Sequence, residues 1–278
     1  QARGEIFTVP VEHGDARNLT RSSDAHDRSP VWSPDGATIA WISDDGEGYE
    51  LVVGPQDGLG ETRRIGLGES KMAWEMTWSP DGERIAFVDD DVRVRVVELE
   101  SGRVRTADVG GTNLERGRMG LTWSPDSKWL AYAKTHDNMF RRIVVWSVDE
   151  RETFVLTDPM ADATEPAFDR DGRHLYFLAS TDLALAPDWA NTSAITADPT
   201  YAAWVMILRD DDPTPFPPRS DEEEVKTEEE DDEKDEEKKE EEEEDKDDDA
   251  VRIDVDGIAG RIVALPMPTG RYRGTWAG

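Results

Sequence analysis

The apolar stretches of this chain alternate in period two, and they do so on both sides of the alternation. Ile39 and Trp41 interleave with Ala40 and Ile42, Ile85 and Phe87 with Ala86 and Val88, and Leu130 and Tyr132 with Ala131 and Ala133. Period two is the side-chain repeat of a β-strand. A strand apolar on both faces is one covered on both faces, here by a larger set of side chains and a smaller one.

Each of these strands follows the same punctuation. Trp32-Ser33-Pro34-Asp35-Gly36 returns as Trp78-Ser79-Pro80-Asp81-Gly82, as Trp123-Ser124-Pro125-Asp126-Ser127 and, altered, as Phe168-Asp169-Arg170-Asp171-Gly172. The aromatic positions lie 46, 45 and 45 residues apart. Pro fixes φ for a turn corner, Asp bonds its own backbone, and Gly accepts a positive φ, so each copy predicts strand, tight turn, strand. A period of about 40 to 50 residues is that of a four-stranded propeller blade. The aromatic of each turn motif is expected to pack between blades.

Third strands are predicted at Tyr49 to Val53, Arg93 to Leu99 and Arg142 to Val148. Shorter, more polar fourth strands follow at Thr62 to Ile65, Val104 to Ala107 and Thr153 to Leu156. Their polarity suits the outer edge of a blade. The fold class is therefore all-β, a β-propeller of four-stranded antiparallel blades whose ring is incomplete. A partial blade occupies 1–20, and blades follow at about 28–67, 72–109, 117–157 and 163–219. The chain does not begin with Met, and both ends fall inside a repeat, so it reads as a piece of a larger ring.

The fourth repeat departs from this pattern. A long connection, 179–203, precedes its third strand at Trp204 to Leu208, and loops of that length in a compact repeat are usually functional. A Pro-rich lead then enters the segment 220–249, which holds 22 acidic residues and 5 lysines, a net of −17. Such self-repulsion predicts a disordered insert. The chain returns to the propeller over 250–278, with strands of the fourth and next blades at Arg261 to Pro266 and Tyr272 to Trp276.

Over the whole chain, 32 Lys and Arg face 63 Asp and Glu, a net charge of −31 that argues against nucleic acid or an anionic membrane as partner. With no cysteine there are no disulfides or thiolate metal sites. No apolar run reaches the roughly 18 residues that would span a bilayer.

The Trp-Ser-Pro-Asp-Gly turn is similar to turns in several propeller families, among them TolB-like proteins, prolyl oligopeptidase caps and tricorn proteases. The second half of the chain narrows the choice. Ile207 to Asp210 leading to Asp212 to Phe216, then the charged insert, then Val251 to Ile258 running into Arg261 to Tyr272, together resemble the seven-bladed propeller of tricorn protease and its bacterial homologues. Gly4 to Pro10 and Arg17 to Thr20 resemble that family too. The resemblance implies a cytoplasmic serine peptidase that forms a homohexamer, whose propeller filters peptide substrates through an axial channel by size. It also implies catalytic and PDZ-like domains downstream in the same chain. The alternatives are the cap of a prolyl oligopeptidase-like hydrolase and a TolB-like protein-binding propeller.

No catalytic, cofactor-binding or metal-binding residue is expected in this segment. His13, His26, His136 and His174 lack ligand spacing. Ser33, Ser79 and Ser124 have no His at a matching offset. Asp44, Asp45 and Glu47, like Asp89 to Asp91, fall where turns are expected and lack a calcium-loop order. The connections entering the innermost strands are the candidate channel rim, so Lys71, Trp74, Glu75, Glu115, Arg116 and Arg118 are the candidate peptide contacts.

An open arc leaves a bare blade face at each end. If each exposes roughly 300 Å² of apolar surface, the two forgo about 15 kcal/mol at about 25 cal/mol per Å², comparable to a whole domain's stability. Residues 1–278 expressed alone should therefore aggregate, and a monodisperse, cooperatively melting monomer in light scattering and calorimetry would contradict this.

Overall fold

The computed structural model describes residues 4–22, 24–46, 48–181, 200–216, 250–272 and 274–275. Most of the long connection in the fourth repeat and the whole acidic insert lie outside them. The chain opens with a short antiparallel pair, β1 (Phe7–Thr8) and β2 (Arg17–Asn18). Four antiparallel four-stranded sheets follow, each with its strands in sequence order. Blade one is β3 (Arg28–Trp32), β4 (Thr38–Ser43), β5 (Glu50–Pro55) and β6 (Arg63–Gly66), and blade two is β7 (Ala73–Trp78), β8 (Arg84–Asp89), β9 (Arg93–Glu98) and β10 (Arg103–Val109). Blade three is β11 (Thr122–Trp123), β12 (Trp129–Thr135), β13 (Arg141–Ser147) and β14 (Thr153–Val155). Blade four is β15 (Asp162–Phe168), β16 (His174–Ser180), β17 (Ala202–Ile207) and, beyond the acidic insert, β18 (Ile262–Ala264). Among the described residues the ring is not closed.

The two-sided alternation now has an assignment. Ile85 and Phe87 pack with Ala40, Ile42 and Leu51 of blade one, whereas Ala86 and Val88 pack with Leu130, Tyr132 and Val144 of blade three. Ala131 and Ala133 in turn meet Leu175 and Phe177 of blade four. In blades one to three the larger set of the second strand faces the preceding element and the smaller set the following blade. Interdigitation of large against small is how close packing is reached without voids. On blade one, Ile39 and Trp41 pack against Ile6 and Leu19 from the β1–β2 pair.

The turn aromatics follow the same rule with one exception. Trp78 donates from Nε1 to the carbonyl of Val31 in blade one at 3.3 Å, while Trp123 and Phe168 are buried against the blade before them. Trp32 does not pack between blades here and is 54% exposed, because β1 and β2 cover only part of blade one and the described residues place no inner strand beside it.

The serines of the turn motif are structural centres. The Ser79 hydroxyl donates to Asp81 Oδ1 at 2.5 Å and accepts the Arg84 N–H at 2.9 Å, while Asp81 Oδ1 accepts the Glu83 N–H at 2.9 Å. Ser33 with Asp35 and Ser124 with Asp126 repeat the arrangement. In blade four Asp169 takes the serine's place, and its carboxylate accepts the N–H groups of Arg173 and His174 at 2.9 and 3.1 Å. The altered motif thus keeps the turn by supplying its own acceptor. Where Ser127 replaces the usual Gly, at φ 63°, its hydroxyl accepts the Asp81 N–H of blade two at 3.0 Å.

After the insert the chain re-enters across blades three and four. The Val251 N–H reaches Asp126 Oδ2 at 2.8 Å, and the Val251 carbonyl accepts Trp129 Nε1 at 2.9 Å. Val251, Ile253 and Ile258 are buried in the cluster shared by these blades. Gly172 permits the approach, since a Cβ there would lie 2.4 Å from Val251 Cγ2. Arg252 closes the neck of the insert on Asp210, Asp211 and Asp254.

Ser79→Ala removes the partner of a backbone N–H beneath a fully buried side chain. It should destabilise the protein by about 1–3 kcal/mol, the range for an orphaned buried donor, read as a shift of the urea unfolding midpoint at unchanged slope.

Candidate channel wall and rim

The innermost strands β3, β7 and β15 are interrupted by the same device. Pairing with the second strand slips between Arg28 and Val31, between Trp74 and Thr77, and between Thr164 and Ala167. At these bulges Ser29, Glu75 and Glu165 adopt φ of 55°, 51° and 55°, and Gly120 stands at 67° just before β11. These four residues are three positions before Trp32, Trp78, Trp123 and Phe168. For three of them a positive φ carries strain that a glycine would not. The Gly120 position touches the bulge of blade four, since a Cβ on Gly120 would lie 3.4 Å from Pro166 Cδ and 3.6 Å from Glu165 Cα.

Of the candidate rim residues, Lys71, Trp74 and Arg118 are exposed and Arg116 is half-buried. The Lys71 N–H is held by Asp90 Oδ1 at 2.7 Å, which places the loop beside the hairpin joining β8 to β9. The two carboxylates are engaged within the protein. Glu75 is half-buried and accepts the N–H groups of Met119 at 2.9 Å and Leu121 at 2.8 Å in blade three. Glu115, at the end of a 3-10 turn (Asn113–Glu115), is buried and accepts the N–H groups of Thr112, at 2.8 Å, and Thr135. Burial pushes the Glu75 carboxyl above its ordinary value of 4.5, against the stabilising N–H bonds, and the charge of Glu165 adds to the rise. Burial likewise raises Glu165, opposed by the Arg141 charge. Arg141 itself is bound to Asp162 at 2.7 Å, Thr164 Oγ1 at 3.0 Å and the Tyr201 hydroxyl at 3.2 Å.

Glu165 and this arginine network were not singled out from the sequence. The available signal was a Glu three residues before the turn aromatic in both the second and the fourth repeats.

The acidic turns hold arginines. Asp44 lies 3.6 Å from Arg28, Asp45 2.9 Å from Arg64, and buried Asp89 2.7 Å from Arg93. Glu47 lies outside the described residues. The three-carboxylate group of Asp210, Asp211 and Asp254 surrounds Arg252. His13 and His26 are exposed, His174 Nδ1 lies 2.7 Å from Asp169, and burial lowers the His136 pKa. A crevice of about 300 Å³ between blades three and four has Phe177 and Trp204 in its wall, but Ser180, Thr181 and Thr200 bound it where the chain passes out of the described residues.

Residues 1–277 match the family described as the tricorn protease second beta propeller domain. The chain belongs to that family. It is 28% identical over 275 residues to tricorn protease homolog 1 of Streptomyces coelicolor, covering 97% of this chain and 25% of that protein. It is also 36% identical over 187 residues to the uncharacterized peptidase YuxL of Bacillus subtilis, covering 65% of this chain and 25% of that one. A crystal structure of the tricorn protease superposes with a TM-score of 0.69 at 20% identity, over 98% of this chain and 24% of the other. The tricorn propeller segment thus spans about a quarter of the length of the curated relatives it matches.

The raised Glu75 pKa gives a signed expectation. Its contribution to stability is fullest below pH 4.5, where the carboxyl is protonated in both states, and declines as pH rises through the higher folded value. Urea midpoints of wild type minus those of Glu75→Gln, measured from pH 4 to pH 7, should fall with pH. A flat or rising difference would show that the N–H bonds outweigh burial.

Proposed function

We propose that this propeller segment admits peptide substrates to a tricorn-type serine peptidase, with proteolysis carried out by other parts of a longer chain. The observation that carries the reading is the row of innermost strands with a positive-φ residue at equal repeat positions, in a chain of the tricorn propeller family. A passage walled by such strands discriminates by width, since an extended peptide fits where a folded domain does not. Lys71, Trp74 and Arg118 are the exposed rim groups in a position to touch an entering peptide. Because Glu75 and Glu115 are committed to backbone N–H groups, Lys71, Trp74 and Arg118 are the candidate contacts left to peptide, beside the acidic hairpin of Asp90 and Asp91.

Cysteine is absent from this segment, so a single introduced thiol is addressable. In the full-length enzyme, with thiols elsewhere replaced, Lys71→Cys or Arg118→Cys would be coupled to a maleimide-polyethylene glycol. Coupling should lower kcat/KM for peptides of about twenty residues by roughly tenfold and leave a tripeptide substrate unchanged. Equal rates for coupled and uncoupled enzyme on the long peptides would overturn the admission role.

A further inference from the structure

At the seams that follow blades two and three, the positive-φ residue and the next blade are matched in hydrogen-bonding capacity. Glu75 of blade two offers a carboxylate, and blade three answers with the N–H groups of Met119 and Leu121, four and two residues before Trp123. Gly120 of blade three offers no side chain, and the residue two before Phe168 in blade four is Pro166, which has no N–H to give. Where the acceptor is missing, so is one of its two donors. This matching is what burial requires, because an unanswered carboxylate or amide at a closed interface is destabilising.

Glu165 of blade four is the next member of the series and again carries a carboxylate. It is half-buried, and among the described residues it receives no N–H group. Beside it lies the segment that follows β18, where the Thr275 hydroxyl donates to the Glu165 carbonyl. That segment reads Gly274-Thr275-Trp276, matching Met76-Thr77-Trp78 and Leu121-Thr122-Trp123. Counting back from Trp276 as from Trp123, the donor positions are Tyr272 and Gly274, neither of which is proline.

We propose that the Glu165 carboxylate is the receptor for the innermost strand of a following blade, taking the backbone N–H groups of Tyr272 and Gly274 as Glu75 takes those of Met119 and Leu121. The partner is this polypeptide's own chain. The bond would set the angular position of that blade and remove the carboxylate from the channel surface, as happens at Glu75.

Hydrogen exchange resolved to single amides in the full-length protein tests this. Tyr272 and Gly274 should be protected in the wild type, and Glu165→Ala should speed both by about tenfold or more, as expected for loss of a charge-assisted bond. Glu75→Ala, acting on Met119 and Leu121, is the internal control. Should Glu165→Ala fail to fold, Glu165→Gln keeps one acceptor oxygen and should expose one of the two amides. Free exchange at 272 and 274 in the wild type, or unchanged protection in the variants, would overturn the assignment. So would a raised KM for peptides in Glu165→Gln with both amides still protected, which would make the carboxylate a peptide contact.

Discussion

Each blade of this chain has two apolar faces, and burying both is the constraint on which the rest depends. A sheet covered on one side would expose Ala86 and Val88 or else Ile85 and Phe87, so a blade is stable only between neighbours. The burial is non-directional, which means it draws blades together without fixing how they are turned. Directional bonds at the seams fix that. Trp78 to Val31, Asp81 to Ser127, and Glu75 to Met119 and Leu121 each join residues 44 to 47 apart, one full repeat. Apolar faces supply the attraction, and a few polar pins supply the register.

What the sequence made legible was what each repeat does within itself. The two-sided alternation, the turn motif and the order of four strands all rest on neighbours a few residues apart, and the strands of the four blades lie where the periodicity put them, whereas residues 272, 274 and 275 form no part of the strand expected at Tyr272 to Trp276. What crosses a seam was less visible. Glu75 was placed at the rim as a peptide contact because its loop position was readable and its partners in blade three were not. Glu115 was read in the same way, although it is closed on Thr112 and Thr135. The serines were not expected to act as nucleophiles, and their role as turn centres needed the coordinates of Thr38, Arg84 and Trp129. Family membership was legible from ordered motifs spread along the chain, a signal that does not depend on any single contact.

The fourth blade shows how a repeat absorbs a large insertion without losing its fourth strand. The loop-closure cost grows only logarithmically with length, so the harder requirement is to deliver β18 in register with β17. The neck does this. Arg252 gathers Asp210, Asp211 and Asp254, Asp254 accepts the Asp210 N–H at 3.0 Å, and Arg261 donates to the carbonyl of Ile207 at 3.1 Å. With both ends of the excursion tied at the close of β17, what lies between them has little leverage on the blade.

Strand direction then fixes where that excursion attaches. Each innermost strand runs from the rim to the turn motif, the second returns, and the third runs again to the turn end, so β17 ends beside Gly172 and the turn motifs. Val251 lies against Gly172 in agreement. Lys71 and Arg118 stand at the opposite ends of the strands, beside the hairpins that join second to third strands. The described neck residues Asp210, Asp211 and Arg252 therefore lie at one end of the strands, and exposed Lys71 and Arg118 lie at the other. Loss of the Arg252 bridges therefore acts at the end of blade four remote from Lys71 and Arg118.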